Sequence, residues 1–329
     1  LNTFAKRISF VAIALFAIPV ARIAARTPDT RSESQISTDQ QAADTVAVSL
    51  AVSTRFVDAR SISVDPSGRF YVVDAARNTV TVFDKDLSEA GTFGGPGINV
   101  GQFDEPTDID PTNGLVINIA DAGNGRIQRY SKDFRFLESL PVPASIGLNA
   151  TKSPSFRPGS ERVQGLSDGR PTSVATSRQD DLFVIESGSN KVFRWDRDRR
   201  STHVVGTGPN ESEILRRPVD LVVSGDFLFV ADSESNAVFI FDLFGIFQRR
   251  FMLEANEKIV GLTGTVDTVV AIFPSELRWY SLGGRHVRSV VPVIPDGEAI
   301  VDAAVTVDVT FILTRQNLFS ISQHVEGVH

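Results

Sequence analysis

The sequence predicts an all-β protein, a six-bladed β-propeller of four-stranded antiparallel blades, on three observations. First, one hairpin is written four times: "FYVVDAARNTVTVFD" (70–84), "LVINIADAGNGRIQRYS" (115–131), "LFVIESGSNKVFRWD" (182–196) and "LFVADSESNAVFIFD" (228–242). Each copy is a β-rich run, an acid, small polar residues with an Asn, and a second β-rich run. Second, the acids Asp74, Asp121, Glu186 and Asp232 stand 47, 65 and 46 residues apart. Repeats of that length with several short strands mark radial β-sheet arrays. Third, no helical periodicity follows residue 26, whereas Val, Ile and Phe runs suit sheets buried on both faces.

Taken in chain order, residues 1–26 read as an export signal. "LNTFAKR" is a basic start, "ISFVAIALFAI" an apolar core of signal length, and "ARIAAR" offers small residues for cleavage. An uncleaved N-terminal anchor is the alternative, and in either case the membrane is met only there. Residues 27–45 are polar, lack aromatics and are expected to form a disordered tether. The β-rich segment 46–56 is expected to supply the missing outer strand of the final blade, because closing the ring removes exposed sheet edges. The rest, within 46–329, forms one propeller with blades near 58–95, 105–140, 169–206, 217–251, 257–291 and 298–329. The last two are degenerate: steps of about 41 residues reach "TVVAIFPSELRWYS" and "VTFILTRQNLFSI", where Phe273 and Thr314 replace the acid.

The acid–Asn pairs, Asp74/Asn78, Asp121/Asn124, Glu186/Asn190 and Asp232/Asn236, fall in the turn between second and third strands. Asp and Asn accept backbone N–H groups and tolerate positive φ. A group recurring at equivalent places around a ring reads as framework, since catalysis needs one site and not four. The Gly-rich "GTFGGPGINVG" (91–101) leads into another strand and not a helix, so it is not a phosphate loop. There is no cysteine, which excludes disulfides, thiolate metal sites and a lipobox anchor. The four histidines, 203, 286, 324 and 329, have no metal-ligand spacing. No metal and no cofactor are expected. A formal charge of −7 argues against a nucleic-acid partner.

What is left for recognition is the odd-one-out sequence. The crossing at 141–170 is enlarged and carries Arg157, Arg162 and Arg170; long loops on rigid scaffolds are where binding usually resides. Residues just before each inner strand should ring the channel mouth: Asp58 with Arg60, Glu105, Arg170, Arg217, Lys258 and Ala299. Such mixed charges suit a zwitterionic or anionic ligand, or pair with one another.

The stretch "PTDID…LVINIADAGNGRIQRYSKDFRFLESL", with "GGPGINVGQFDEPTDI" before it, resembles an NHL repeat. The resemblance covers roughly 56–251; beyond that only length and hydrophobic pattern support it. It implies six blades with the two ends of the chain sharing one. Relatives of that kind include an amidating lyase with a histidine-bound metal, but no histidine here falls at an inner-strand entrance. Others bind single-stranded RNA, against which the acidic balance speaks. The reading is a monomeric, exported, non-catalytic binding scaffold for a protein, peptide or glycan. The alternative is an enzyme like the calcium-dependent lactonase propellers, with Asp58, Glu105 and Asp220 as its ligands.

Overall fold

The structure, a computed structural model, describes residues 43–52, 54–144, 169–207 and 215–322. The export segment, residues 27–42 of the tether and loop residues 145–168, with Arg157 and Arg162, lie outside them.

Two short strands come first, β1 (Asp44–Ala47) and β2 (Ser49–Leu50). Blade one is β3 (Ala59–Val64), β4 (Phe70–Asp74), β5 (Thr79–Phe83) and β6 (Glu89–Gly94). Blade two is β7 (Pro106–Asp110), β8 (Val116–Asp121), β9 (Arg126–Ser131) and β10 (Phe136–Pro141). Blade three is β11 (Pro171–Thr176), β12 (Leu182–Glu186), β13 (Lys191–Trp195) and β14 (Thr202–Val204). Blade four is β15 (Pro218–Ser224), β16 (Phe227–Asp232), β17 (Ala237–Asp242) and β18 (Phe247–Met252). Blade five follows as β19 (Gly261–Gly264), β20 (Thr268–Ile272), β21 (Leu277–Ser281) and β22 (His286–Val293). Blade six contributes β23 (Ile300–Val305), β24 (Val309–Thr314) and β25 (Leu318–Ser322).

Within each blade consecutive strands pair antiparallel, and the first strands of successive blades touch in a closed cycle, β3, β7, β11, β15, β19, β23 and back to β3. These six line the axis. The alternation of side chains along a strand decides which gap each residue fills. In blade four, Leu228 and Val230 pack toward blade three while Phe229 and Ala231 pack toward blade five. Every inter-blade gap has its own apolar cluster, and these six clusters take the place of a single core. Phe183, Phe229, Phe239, Phe241 and Phe273 are among the largest fully buried side chains, so the abundant Phe fills the wedges between sheets.

Closure differs from the expected single strand over 46–56. Only β2 completes blade six, pairing Ser49 with Ser320 and Leu50 with Phe319. β1 instead runs parallel to β22 as a fifth strand of blade five, Asp44 facing Val290 and Ala47 facing Val293. The tether reading therefore ends too late, since Asp44 and Thr45 are already paired. The physical reason lies in the apolar spacing: Val46 and Val48 pack on the cluster between blades five and six, and Val52 and Phe56 on that between six and one. The segment is a strap over two blades. At the axis a second closure joins the last blade to the first, where the Ile62 amide donates to Asp302 Oδ2 at 2.8 Å.

Candidate functional site

The repeated acids set the upper rim. Asp74 accepts the amides of Val57 (2.8 Å) and Asp58 (3.2 Å). Asp121 accepts that of Asp104 (2.8 Å) and the Arg126 guanidinium (2.7 Å). Glu186 takes the amides of Arg170 (3.0 Å), Gly188 (2.8 Å) and Ser189 (2.9 Å), and Asp232 those of Arg216 (2.6 Å), Arg217 (2.8 Å) and Ser235 (2.7 Å). Each carboxylate thus ties its own turn to the segment entering the inner strand. Burial pushes the Glu186 carboxyl up, but the Ser189 hydroxyl and the amides of Arg170, Gly188 and Ser189 outweigh it and hold the carboxyl below the usual carboxylate range.

The Asn partners serve backbone geometry. Asn78, Asn190 and Asn236 take positive φ of 57°, 57° and 48°. In blade two the neighbour Gly125 (φ 65°) takes that role, leaving Asn124 free to donate to Gly97 O (2.9 Å) and to Asp121. Asn78 Oδ1 reaches into the next blade and accepts the Glu105 amide at 2.7 Å, where Glu105 itself has φ 48°. In the degenerate blades Thr314 holds its turn through the Asn317 amide (3.0 Å), while Phe273 is buried and its amide bonds Glu276 O (2.9 Å).

These anchors place the non-repeated side chains. A cleft of about 300 Å³ opens at the mouth over blades one to three, lined by Asp58, Arg60, Asn78, Glu105, Thr107 and Arg170. Arg60 grips Asp58 Oδ2 through Nε (2.9 Å) and Nη2 (2.6 Å), and Arg315 Nη1 takes Asp58 Oδ1 (2.6 Å). Arg170 Nη2 meets Glu105 Oε2 at 2.5 Å, and that guanidinium draws the Glu105 carboxyl below its usual range. Three guanidinium groups therefore face two carboxylates. The Arg170–Glu105 pair is half-exposed, and such pairs contribute about 0–1 kcal/mol.

Of the other expected mouth residues, Arg217 and Lys258 are exposed and do not line this cleft. Ala299 borders a smaller depression with Glu298, Val301, Arg315 and Gln316. The calcium trio is not assembled: Asp58 and Glu105 lie at the mouth, while Asp220 is half-buried in the channel wall. Both of its oxygens are taken there, by Ser173 Oγ (2.6 Å) and the amides of Leu221 (2.8 Å) and Leu262 (2.6 Å). Among the described residues no group of three or more His, Asp or Glu is arranged to hold a metal ion. His203 and His286 lie on outer strands, β14 and β22.

The sequence reading missed a ring in the wall. A β-bulge at the start of five inner strands brings Ser61, Asp108, Ser173, Asp220 and Asp302 to matching positions. Gly261 takes the matching place at the start of β19. Serine or glycine alternates with aspartate, a pattern visible in "ARSI", "PTDI", "PTSV", "PVDL", "IVGL" and "IVDA" once the blades are aligned.

No protein-family model matches the sequence, and no curated protein matches it. Solved structures do. One is a streptogramin B lyase, 12% identical, with a TM-score of 0.57 over 80% of this chain and 79% of that one. A second is virginiamycin B lyase from Staphylococcus aureus, 11% identical, TM-score 0.56, covering 80% and 94%. A third is a catalytically inactive histidine-to-alanine variant of virginiamycin B lyase from the same organism, solved with quinupristin, at 10% identity and TM-score 0.55 over 82% of each chain. At such identities the likeness is one of architecture: the chain is a six-bladed β-propeller, similar in fold to these lyases.

Proposed function

We propose that this chain is an NHL-type propeller that works as a binding module. Its upper mouth over blades one to three takes an anionic or zwitterionic group of a protein, peptide or glycan. One observation carries the reading: a charged cleft of about 300 Å³ whose Arg170–Glu105 pair is weakly held, on a rim whose repeated acids are occupied by backbone amides. Arginine recognises a carboxylate through a fork of paired N–H donors, and an incoming acid would exchange with Glu105 while Arg60 and Asp58 meet its other charge. Arg157 and Arg162 of the 141–168 crossing, outside the described residues, belong to the same proposal as binding residues; Arg217 adds positive charge farther round the rim. The same proposal includes export through residues 1–26 and a place in the periplasm or cell envelope as a monomer, with no catalytic step and no cofactor.

Calorimetric titration with peptide and glycan ligands bearing carboxylates tests this. The expected result is saturable binding that weakens at least tenfold in Arg60→Ala and Arg170→Ala, with little change in Arg249→Ala on an outer strand. Equal affinity in all three variants overturns it.

A second reading is lyase chemistry, favoured by the activity named for the structural neighbours. The inactive histidine variant points to a histidine in that enzyme, whereas the described histidines here are on outer strands. Turnover of a streptogramin B by the purified protein would establish this reading in place of the first.

A further inference from the structure

The six inner strands carry five titratable side chains: Arg60, Asp108, Asp110, Asp220 and Asp302. Arg60 is committed to Asp58 at the mouth, so no inner strand sets a base against these acids. Three of these acids stand on alternate blades and stitch them together. Asp108 accepts from its own Ile109 amide (2.8 Å), from Ser61 Oγ of blade one (2.7 Å) and from the Val174 amide of blade three (2.7 Å). Asp220 repeats the arrangement with Leu221, Ser173 and Leu262. Asp302 accepts Ala303 N (2.7 Å) and, across the ring closure, Ile62 N (2.8 Å). The missing hydroxyl is at Gly261, where a Cβ would lie 3.6 Å from Asp302 Oδ1 and 3.4 Å from Asp220 Oδ2.

We infer that Asp108, Asp220 and Asp302 form a proton-dependent clasp around the axis, tight while they hold protons and loosened when all three ionise. The three carboxylates are half-buried around one axis with no counter-charge on the inner strands, and partial desolvation together with mutual repulsion penalises their ionised forms. A serine hydroxyl accepts as readily as it donates, so Ser61 and Ser173 can accept a hydrogen bond from a protonated Asp108 or Asp220. The other elements packed on these strands do not neutralise the acids. β4 brings Tyr71, bonded to Asp65 (2.9 Å), and Asp74; β8, β12 and β16 bring Asp121, Glu186 and Asp232, whose rim partners are given above. β11, β19, β20 and β24 bring no titratable group. Asp110, beside Asp108 on β7, adds a fourth acid, bonded to Thr112.

Burial raises all three acids above the ordinary aspartate value, and their mutual charge adds to this for Asp220 and Asp302; Asp220 reaches about 7. A raised folded value means that the contribution is complete below the unfolded value, about 4, and is lost as pH rises through the folded one. For Asp220 that window runs from about 4 to about 7. The clasp is separate from the cleft reading and stands or falls without it.

Amide hydrogen exchange on the wild-type protein between pH 5 and 8.5, corrected for intrinsic rates, tests it. Ile62, Val174 and Leu262 should together lose about tenfold or more of their protection relative to Val72, Ile119 and Val230 as pH rises. In urea titrations Asp220→Asn should remove close to one proton from the pH dependence, a tenfold change in the unfolding constant per pH unit. Constant relative protection of the three amides overturns the clasp, as does a wild-type pH slope in the variant. If the variant does not fold, the wild-type exchange experiment decides.

Discussion

Replacing Asp232 by Ala separates framework from recognition. The carboxylate is fully buried and accepts three amides at 2.6, 2.8 and 2.7 Å, two from the crossing into blade four and one from its own turn. Each hydrogen bond to a charged group contributes about 1.5–3 kcal/mol. Arg216 and Arg217 are exposed, so water recovers part of what their amides lose. The expected net cost is about 3 kcal/mol. At roughly 2 °C per kcal/mol for a domain of this size, the melting temperature should fall by about 6 °C. Asp226→Ala is the matched control: it removes the same formal charge from an exposed turn and should stay within about 0.5 kcal/mol. Differential scanning calorimetry on both variants gives the answer. If Asp232→Ala melts no lower than Asp226→Ala, the assignment of the repeated acids to the framework is wrong.

Other outcomes follow from the same geometry. Gly94→Ala should cost about 3 kcal/mol or more in urea titration, because φ is 111° and the new Cβ would lie 2.7 Å from Asn78 O and 2.8 Å from the buried Phe103 ring. Truncation before residue 51 removes β1 and β2, opens the outer edges of blades five and six, and should lower the melting temperature by about 5 °C. Gly261→Ser supplies the hydroxyl absent opposite Asp302 and should raise stability by up to about 1 kcal/mol, if Ile272 Cδ1, 3.2 Å from the new Cβ, yields. Urea midpoints of the wild-type protein should fall between pH 5 and 8, the direction set by the raised Asp108, Asp220 and Asp302; a midpoint that rises over that range contradicts the sign.

Much of the fold was legible because each blade must satisfy the same local demands. The Asp74, Asp121, Glu186 and Asp232 turns repeat since every blade needs its second-to-third turn tied to the inner strand's entrance. Blades five and six were legible only by length and apolar pattern, because buried Phe273 and Thr314 replace the acid. The partner of Asp44–Ala47 was not legible: four residues pairing parallel with a strand some 245 positions away leave no local signature. The mouth residues Asp58, Glu105 and Arg170 could be picked out by position before an inner strand, with Arg60 at the start of one, but their pairing could not. Arg217 shows the limit of that rule, since it holds the same place in blade four and yet stands outside the cleft. The aspartate ring was hidden because Asp108, Asp220 and Asp302 occur on every second blade, a period twice that of the repeat; Asp220 alone was singled out, as a calcium ligand.

The most direct test of the binding account is hydrogen-exchange footprinting of the protein saturated with a carboxylate-bearing partner. Slowed exchange centred on residues 57–60, 75–78, 105–107 and 170 is the predicted result. Protection confined to the outer strands, with those four segments exchanging as in the free protein, would contradict it.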